Sequence, residues 1–256
     1  LGVSRQYTNP CRKPMTLISV IIPCFNSGSI LERALSSVLS QSHPKVEIIV
    51  QDNLSTDSAT CEILQKFKNQ IRWIQEKDLG IYDAFNRGIQ KAHGDWIYLM
   101  GADDYLADSQ VFEKLISYNL DSKYKVITGD ILNENIQDKW IPKRFHSQFN
   151  WKIYWRNSVH QQGVLYHKDC FSLDCFNPHY RVLSDYQFHI KLHRSTLKKL
   201  ESSLIIAHCE ATGISKNFND SLYAEEIKMK KETLPTWLYG LNIPWIGLKR
   251  ILKSNG

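Results

Sequence analysis

Several signatures that would assign a function at once are missing from this sequence. Its six cysteines include no C-x-x-C pair, so neither a zinc ribbon nor a dithiol redox site is indicated. It has no G-x-G-x-x-G and no Walker A motif, which argues against a Rossmann dehydrogenase and a P-loop kinase. No apolar run approaches the roughly 18 residues that cross a bilayer. Scattered cysteines in a chain of this length are typical of a reducing compartment.

What is present is the composition of an ordinary globular protein. The 256 residues are 43% apolar and 23% charged, which fits one large domain and excludes extensive disorder. The net charge of +6 permits an anionic ligand or a membrane surface, and we expect no nucleic-acid partner. The first 15 residues are polar and lack the apolar segment of a signal peptide. We therefore expect a cytoplasmic protein, at most peripheral on the inner face of the cell membrane, with Met15 as its natural start.

Strand-like and helix-like segments alternate along the first half of the chain. Apolar runs predict strands at 17–22, 46–50, 71–74 and 96–100, and the first run has the β-branched character of a strand buried on both faces. Amphipathic segments with helical spacing separate them. Strands that alternate with helices imply a parallel sheet with right-handed crossovers. The sequence therefore predicts an α/β fold with a Rossmann-like, mostly parallel central sheet flanked by helices.

The second half of the sequence is less regular. Strands are predicted at 125–128 and 163–166, and a helix is predicted to follow Ser184 as its N-cap. Residues 131–162 are aromatic and polar with weak periodicity, which favours long loops. We expect this half to extend the same sheet, so that both halves form one domain.

A tail of different composition follows the predicted domain, which we bound at 16–223. Residues 224–256 predict a charged helix and then an aromatic, apolar segment broken by Gly240 and Pro244, with basic residues near its end. An aromatic segment beside basic residues is suited to a membrane interface. The alternative is a C-terminal helix docked on the domain, and the sequence leaves both open.

Polar side chains follow three of the predicted strands. Asn26 follows the first strand, Asp52 follows the second, and the adjacent pair Asp103 and Asp104 follows the fourth. The carboxyl ends of parallel strands meet at one edge of a sheet, where α/β proteins bind ligands. Adjacent carboxylates repel each other unless a positive charge lies beside them, and Mg²⁺ or Mn²⁺ would supply that charge. The alternative is a solvated turn before the next helix.

Ordered stretches of the chain resemble the family 2 glycosyltransferases, which have a GT-A fold and act in bacterial polysaccharide synthesis. The matching stretches are SVIIPCFNSG (19–28), EIIVQDNLSTD (47–57), DLGIYDAFNRGIQKAHGDWIYLMGADDYL (78–106), TGD (128–130), HQQGVLYH (160–167), SDYQFHIKL (184–192) and TGIS (212–215). The resemblance implies an inverting transfer of a sugar from a nucleotide-diphosphate sugar, usually a UDP-sugar. The acceptor would be a glycan or a lipid-linked oligosaccharide, and the cofactor a divalent cation, Mn²⁺ or Mg²⁺.

The resemblance also implies roles for parts of the chain and for individual residues. Residues 16–107 would bind the nucleotide sugar and residues 108–223 the acceptor. Asp185 matches the catalytic base, and Asp104 is the metal ligand that we favour, with Asp103 beside it. The residues expected on the nucleotide-sugar side are Pro23, Phe25, Asn26, Asp52, Asp83, Arg87 and Asp103. The residues expected to line the donor and acceptor cleft are His160, Gln161 and Ser215.

The sequence departs from the family pattern at two positions. Leu54 stands where a glycine usually follows the second strand, and Gly101 stands where many members have Asp or Asn. Because Gly101 has no side-chain oxygen, Asp103 and Asp104 remain as the candidate metal ligands. Asp83 and Arg87 are also open to a plainer interpretation, because an i, i+4 pair on a helix is often an exposed ion pair.

Two other functions are compatible with a nucleotide-binding sheet. A sugar-phosphate nucleotidyltransferase usually has a basic, Gly-rich loop after the first strand, and no Lys or Arg occurs between Pro23 and Leu31. A catalytically inactive homologue that serves as an assembly subunit would not need to keep the acidic residues together. The aromatic residues of the second half either stack on sugar rings or pack a loop-rich core; they are Trp140, Trp151, Tyr154 and Trp155.

Overall fold

A parallel four-stranded unit is formed by the first half of the chain. The computed structural model describes residues 16–119, 122–211 and 219–254, with side chains as far as 252. The elements of this half are β1 (Ile18–Cys24), α1 (Ile30–Leu39), β2 (Val46–Asp52), α2 (Ser58–Phe67), β3 (Arg72–Gln75), α3 (Ile81–Lys91) and β4 (Trp96–Leu99). β1 pairs in parallel with β2 and β4, and β2 pairs in parallel with β3. The predicted alternation of strands and helices is confirmed here.

The second half extends the same sheet. Its elements are β5 (Tyr105–Leu106), α4 (Val111–Ser117), β6 (Val126–Glu134), β7 (Arg144–His146), β8 (Val164–His167), α5 (Asp169–Leu173), α6 (Ser184–Arg194) and β9 (Lys199–Glu210). Over the described residues the strand order is β3-β2-β1-β4-β8-β6-β9-β5, with β7 on β6. β8 runs antiparallel to β4 and β6, and β9 runs parallel to β6. Both strands predicted for this half exist, whereas the long strand β9 was not predicted.

The sheet separates two apolar cores, because successive side chains of a strand point to opposite faces. Val20 and Ile22 belong to the core beneath α1, α2 and α4. Ile21 lies between them in sequence and belongs to the opposite core, beneath α3 and α6. All three side chains are fully buried, as the continuous apolar run of β1 predicts.

The C-terminal segment folds as two helices, α7 (Asp220–Thr233) and α8 (Thr236–Ser254). The predicted break at Gly240 and Pro244 is wrong, since α8 continues through both residues. Pro244 has no N–H, so the Gly240 carbonyl one turn earlier is left without its usual intrahelical donor. The predicted boundary between 223 and 224 falls within α7. No helix in the part of the chain that the structure describes is long and apolar enough to cross a membrane.

A buried lysine joins these two helices to the domain. Lys230 is fully buried, and its Nζ donates to Oδ1 of Asn242 on α8 at 2.8 Å and to the Trp155 carbonyl at 3.0 Å. It also pairs with Glu226 at 2.9 Å, and Glu226 accepts from Lys249 at 2.6 Å. Burial lowers the pKa of Lys230 to about 8. One face of the tail therefore docks on the domain.

Candidate functional site

A cavity of 1370 Å³ brings together predicted site residues from both halves of the chain. Its wall includes the loop after β4, the 3₁₀ turn Gln161–Gly163, the start of α6 and the end of β9. The predicted site residues that line it are Asp103, Asp104, His160, Gln161 and Asp185. Residues that are far apart in sequence thus face one space large enough for a substrate.

Asp104 is the most deeply placed acid of this cavity, with 4% of its surface exposed. Its Oδ2 accepts from the Gly101 backbone N–H at 3.0 Å and from Nε2 of Gln162 at 2.7 Å. Burial and the neighbouring charge of Asp103 raise the pKa of Asp104 to about 7. Burial, and then Glu210, raise the pKa of Asp103 as well. Both carboxyl groups therefore lie where a positive charge would stabilise them.

Gly101 leaves a space between these two carboxylates. A Cβ added to Gly101 would lie 2.6 Å from Oδ1 of Asp103 and 2.7 Å from Oδ2 of Asp104, so oxygens of both groups converge on one point. Carboxylate oxygens are the ligands that Mg²⁺ and Mn²⁺ prefer, with further positions left for a diphosphate and water. The residues present fit such a cation. Among the described residues no group of three or more acidic, His or Cys side chains is arranged to hold a metal.

Asp185 lies half-buried in the first turn of α6 and lines the same cavity. The hydroxyl of Tyr82 donates to its Oδ1 at 3.0 Å and also makes a short contact with the Val182 carbonyl. The predicted N-cap is one residue off. Leu183 is the N-cap, and Ser184 is the first helical residue, whose Oγ accepts from the Asn177 backbone N–H at 2.6 Å.

Glu225 on α7 holds the loop that leads to Asp185. Its Oε1 accepts from the backbone N–H groups of Val182 at 2.8 Å and Leu183 at 2.7 Å, and its Oε2 accepts from that of Arg181 at 2.9 Å. A carboxylate at the start of α6 also complements the helix dipole. Glu225 was missed because a contact between residues about 40 positions apart leaves no sequence pattern.

Asp52 lies at the end of β2, outside the lining of the cavity, and is fully buried. Its Oδ1 accepts from the backbone N–H and the Oγ of Ser55 at 3.0 and 2.6 Å. Its Oδ2 accepts from Nε1 of Trp73 at 3.1 Å and Nε2 of Gln75 at 3.3 Å. Leu54 has a φ of +56°, the conformation that the usual glycine adopts without strain. The carboxylate therefore holds the loop after β2 in shape.

The loop after β1 is tied to the loop after β2. Oδ1 of Asn26 accepts from the backbone N–H groups of Thr56 at 2.9 Å and Asp57 at 3.3 Å. The Asn26 N–H donates to Ser55 Oγ at 2.9 Å. Pro23 lies within β1, and the ring of Phe25 is 59% exposed. These residues form a polar edge with one exposed aromatic ring, and none of them lines the cavity.

Asp83 and Arg87 form the i, i+4 ion pair that the plainer interpretation predicted. Nε of Arg87 donates to Oδ2 of Asp83 at 2.9 Å. The same oxygen accepts from the Leu79 backbone N–H at 3.0 Å, and Arg87 also approaches Glu76 at 3.6 Å. The pair lies outside the cavity lining and supports the start of α3.

The predicted cleft residues His160 and Gln161 lie on the wall next to Asp104. Gln161 is 6% exposed, and its Nε2 has no hydrogen-bond partner among the described residues. His160 packs edge-on against Phe145 at 5.7 Å between ring centroids. The neighbouring Gln162, which bonds Asp104, was not predicted, although it lies in the same HQQG stretch. Ser215 and the predicted 212–215 loop lie outside the described residues.

One of the four aromatic side chains proposed to meet sugar rings lines the cavity. Trp140 is 45% exposed there. Tyr154 packs instead edge-on against His193 at 5.4 Å, and Trp155 contributes its backbone carbonyl to the tail contact. Trp151 is 65% exposed on the outer surface.

Comparison with known proteins places these observations in a family. The model of glycosyl transferase family 2 matches residues 19–186. A PGL/p-HBAD biosynthesis glycosyltransferase of Mycobacterium bovis (strain BCG / Pasteur 1173P2) is 25% identical over 222 residues, which are 83% of this chain and 84% of that protein. The similarity to this relative extends over more than four fifths of both chains.

Solved structures with the same fold carry nucleotide sugars. S. aureus TarS 1-349 in complex with UDP-GlcNAc superposes with a TM-score of 0.66 at 17% identity, over 83% of this chain and 65% of that one. In a longer TarS structure this chain spans 39% of the length. Mannosyltransferase PcManGT from Pyrobaculum calidifontis, in complex with GDP-Man and Mn²⁺, gives 0.59 at 14% identity, over 85% and 65%. Such low identities speak to the fold alone, and the predicted GT-A fold is confirmed.

Proposed function

The chain belongs to glycosyl transferase family 2, and we propose that it transfers a sugar from a nucleotide-diphosphate sugar to a glycan or lipid-linked oligosaccharide, with inversion at the anomeric carbon. The product would serve cell-surface polysaccharide synthesis. The observation that carries the proposal is that Asp103, Asp104 and Asp185 line one cavity. The UDP-GlcNAc bound to TarS supports UDP as the nucleotide.

The proposed chemistry is a single displacement. The acceptor hydroxyl oxygen forms a bond to the anomeric carbon while the bond from that carbon to the diphosphate oxygen breaks, and its electron pair leaves with the diphosphate. The hydroxyl proton passes to the carboxylate of Asp185, a role that contributes about 10²–10⁴-fold in enzymes. The hydrogen bond from Tyr82 orients this carboxylate. The positive end of the α6 dipole stabilises it by about 0.3–1 kcal/mol.

The divalent cation is assigned to Asp104, with Asp103 beside it. When bound, Mn²⁺ or Mg²⁺ would stabilise the negative charge that gathers on the diphosphate leaving group. Gln162 and the Gly101 backbone N–H fix one oxygen of Asp104. Arg33 donates to the Asp103 carbonyl at 3.0 Å and holds the turn from outside.

The nucleotide is proposed to lie along the polar edge formed by the loops after β1 and β2. Asp52 remains our candidate for recognising the base, and the exposed ring of Phe25 offers a face on which a base can stack. Because the Asp52 carboxylate already accepts four hydrogen bonds, base binding would have to displace one of its donors, Trp73 or Gln75. We keep Asp83 and Arg87 as supports of the ribose and diphosphate side.

The test is a calorimetric titration of UDP into the purified protein, with Mn²⁺ and then with EDTA. We expect binding that requires the metal and that Asp104→Asn weakens at least tenfold. Asp108→Asn is the matched control, because Asp108 is an exposed aspartate close in sequence that pairs with Lys114. If UDP fails, GDP and dTDP are titrated in the same way. No binding of any of the three would favour the catalytically inactive homologue.

The exposed face of α8 supports peripheral membrane contact. Trp237, Leu241, Trp245, Leu248 and Leu252 recur at helical spacing on one side of α8 and are 37–69% exposed. Residues 224–256 carry six basic and three acidic side chains. An apolar helix face with a surplus of positive charge complements an anionic bilayer, and we propose that this face lies in its interface.

Co-sedimentation with vesicles of phosphatidylglycerol and phosphatidylcholine tests this contact. Leu241→Ser with Leu248→Ser should leave most of the protein in the supernatant, because the polar side chains no longer bury area in the bilayer. Leu173→Ser with Tyr118→Ser is the matched control, since both side chains are exposed elsewhere. Equal sedimentation of the two double variants would contradict membrane contact through α8.

A further inference from the structure

Three cations on the wall of the cavity have no acidic partner among the described residues. Lys152, Arg156 and Arg181 line the cavity with exposed side chains, and across the described ranges none of them makes an ion pair or a side-chain hydrogen bond. The other two cations of the wall differ, because Arg144 pairs with Asp130 at 2.6 Å and Lys249 pairs with Glu226. Three charges on one cavity wall, unpaired within the described part of the chain, make a strong local field for an anion.

These cations belong to the part of the wall that contacts the C-terminal helices. The Trp155 carbonyl, beside Arg156, accepts from Lys230 of α7 and from Nε1 of Trp245 of α8 at 3.2 Å. The Arg181 backbone N–H donates to Glu225 of α7. The acidic residues proposed to act on the donor side, Asp103 and Asp104, lie instead in the loop after β4. The wall is therefore basic towards α7 and α8 and acidic towards the proposed donor side.

Asp185 follows Arg181 by four residues, in the segment that Tyr82 and Glu225 hold in place. Tyr186, the next residue, donates from its hydroxyl to the carbonyl of Ile153 at 2.7 Å, which ties α6 to the 3₁₀ turn Trp151–Tyr154. The segments that carry the three cations are thus tied to the elements that hold the proposed base. An anionic group seated on these cations would belong to the molecule whose hydroxyl the base deprotonates.

We propose that Lys152, Arg156 and Arg181 form a subsite for a phosphate group of the acceptor, and this inference rests on the proposed function. Arginine guanidinium groups bind phosphate oxygens through paired, charge-assisted hydrogen bonds. The source that fits the surroundings best is a lipid-linked diphosphate, because Trp245 on the exposed face of α8 contacts the segment that carries Arg156. A phosphate within the glycan has the same chemistry.

The test measures binding of three probes by calorimetry with UDP and Mn²⁺ at saturation. The probes are farnesyl diphosphate, glycerol 3-phosphate and farnesol. We expect farnesyl diphosphate to bind, and Arg156→Gln with Arg181→Gln to weaken it at least tenfold. Lys152→Gln alone should give a smaller loss. Lys68→Gln with Lys198→Gln is the control, because it removes the same charge from exposed residues outside the cavity lining.

Each outcome bears on the subsite. If glycerol 3-phosphate binds as tightly as farnesyl diphosphate, and the cavity variant loses this binding, the subsite is supported and a phosphate within the glycan is its source. Farnesol that binds as tightly as its diphosphate overturns it, as does equal binding by the cavity variant and the wild type, or an equal loss in the control. UDP binding is measured first, so a failure of the proposed function shows as absent UDP binding, and a failure of the subsite leaves UDP binding intact.

Discussion

Replacing Glu225 by glutamine should slow the transferase without unfolding it. Glu225 accepts three backbone N–H groups just before Asp185, and the amide NH₂ of glutamine cannot accept from one of them. The other N–H groups would bond a neutral oxygen in place of a charged one. A hydrogen bond to a charged group contributes about 1.5–3 kcal/mol, and the half-buried position favours the lower end. We therefore expect the substitution to weaken the hydrogen bonds that hold this loop by about 2 kcal/mol.

If that loss falls on the placement of the proposed base Asp185, kcat decreases by about 30-fold, since each 1.4 kcal/mol is a factor of ten. The KM for the donor should stay unchanged, because the proposed donor site uses the loop after β4. Steady-state kinetics and a thermal melt measure both effects, with the exposed Glu62→Gln as control. An unchanged kcat, or a fall in melting temperature accompanied by a higher donor KM, would refute a positioning role for Glu225.

Three further perturbations test other parts of the structure. Gly101→Ala places a Cβ within 2.7 Å of the two carboxylates and should weaken Mn²⁺-dependent UDP binding at least tenfold, whereas Gly240→Ala, with no atom within 4 Å, should not. Tyr82→Phe removes the hydroxyl that donates to Asp185. Such a hydrogen bond contributes about 1 kcal/mol, so kcat should fall about fivefold with the donor KM unchanged. Burial lowers the pKa of His189 to about 3 in the folded protein. As the pH falls below about 6.5, His189 is therefore protonated in the unfolded chain while it stays neutral in the folded one, and the folded protein loses stability. Urea unfolding should show His189→Gln losing about 2 kcal/mol less stability than the wild type between pH 7 and 5.

The first half of the fold could be predicted because its strands are buried on both faces. The run that includes Val20, Ile21 and Ile22 is apolar apart from the buried Ser19, and such runs have few other interpretations. β9 could not be recognised in the same way. Its first residues, 199–204, mix polar and apolar side chains that are partly exposed, and its pairing with β6 is interrupted by two register shifts. A strand that forms mainly by pairing with its neighbours, with many of its own side chains partly exposed, has no clear hydrophobic pattern in the sequence.

The same difference applies to the candidate site. Asp103 and Asp104 were found because the carboxyl ends of parallel strands meet at one edge, and Asp185 because of the family resemblance. Glu225 and Gln162 act through single hydrogen bonds to distant partners. Gly240 and Pro244 misled the prediction of the tail, because packing of α8 on the domain overrides the local cost of both residues. Local sequence patterns cannot predict a contact that a single side chain makes with a residue far away in the chain.

The tail carries two properties that one truncation would confuse. Cutting the chain after Tyr223 removes the exposed face of α8 and should reduce vesicle binding, but it also removes Glu225. An inactive truncated protein would therefore not distinguish loss of the proposed membrane contact from displacement of the proposed base. The substitutions at Leu241 and Leu248 lie on the exposed face, away from the buried contacts of Lys230, so they change the surface alone. If they abolish vesicle binding and preserve activity on a water-soluble acceptor, while Glu225→Gln does the reverse, α7 and α8 have separable roles: one holds the base, and the other brings the cavity to its acceptor.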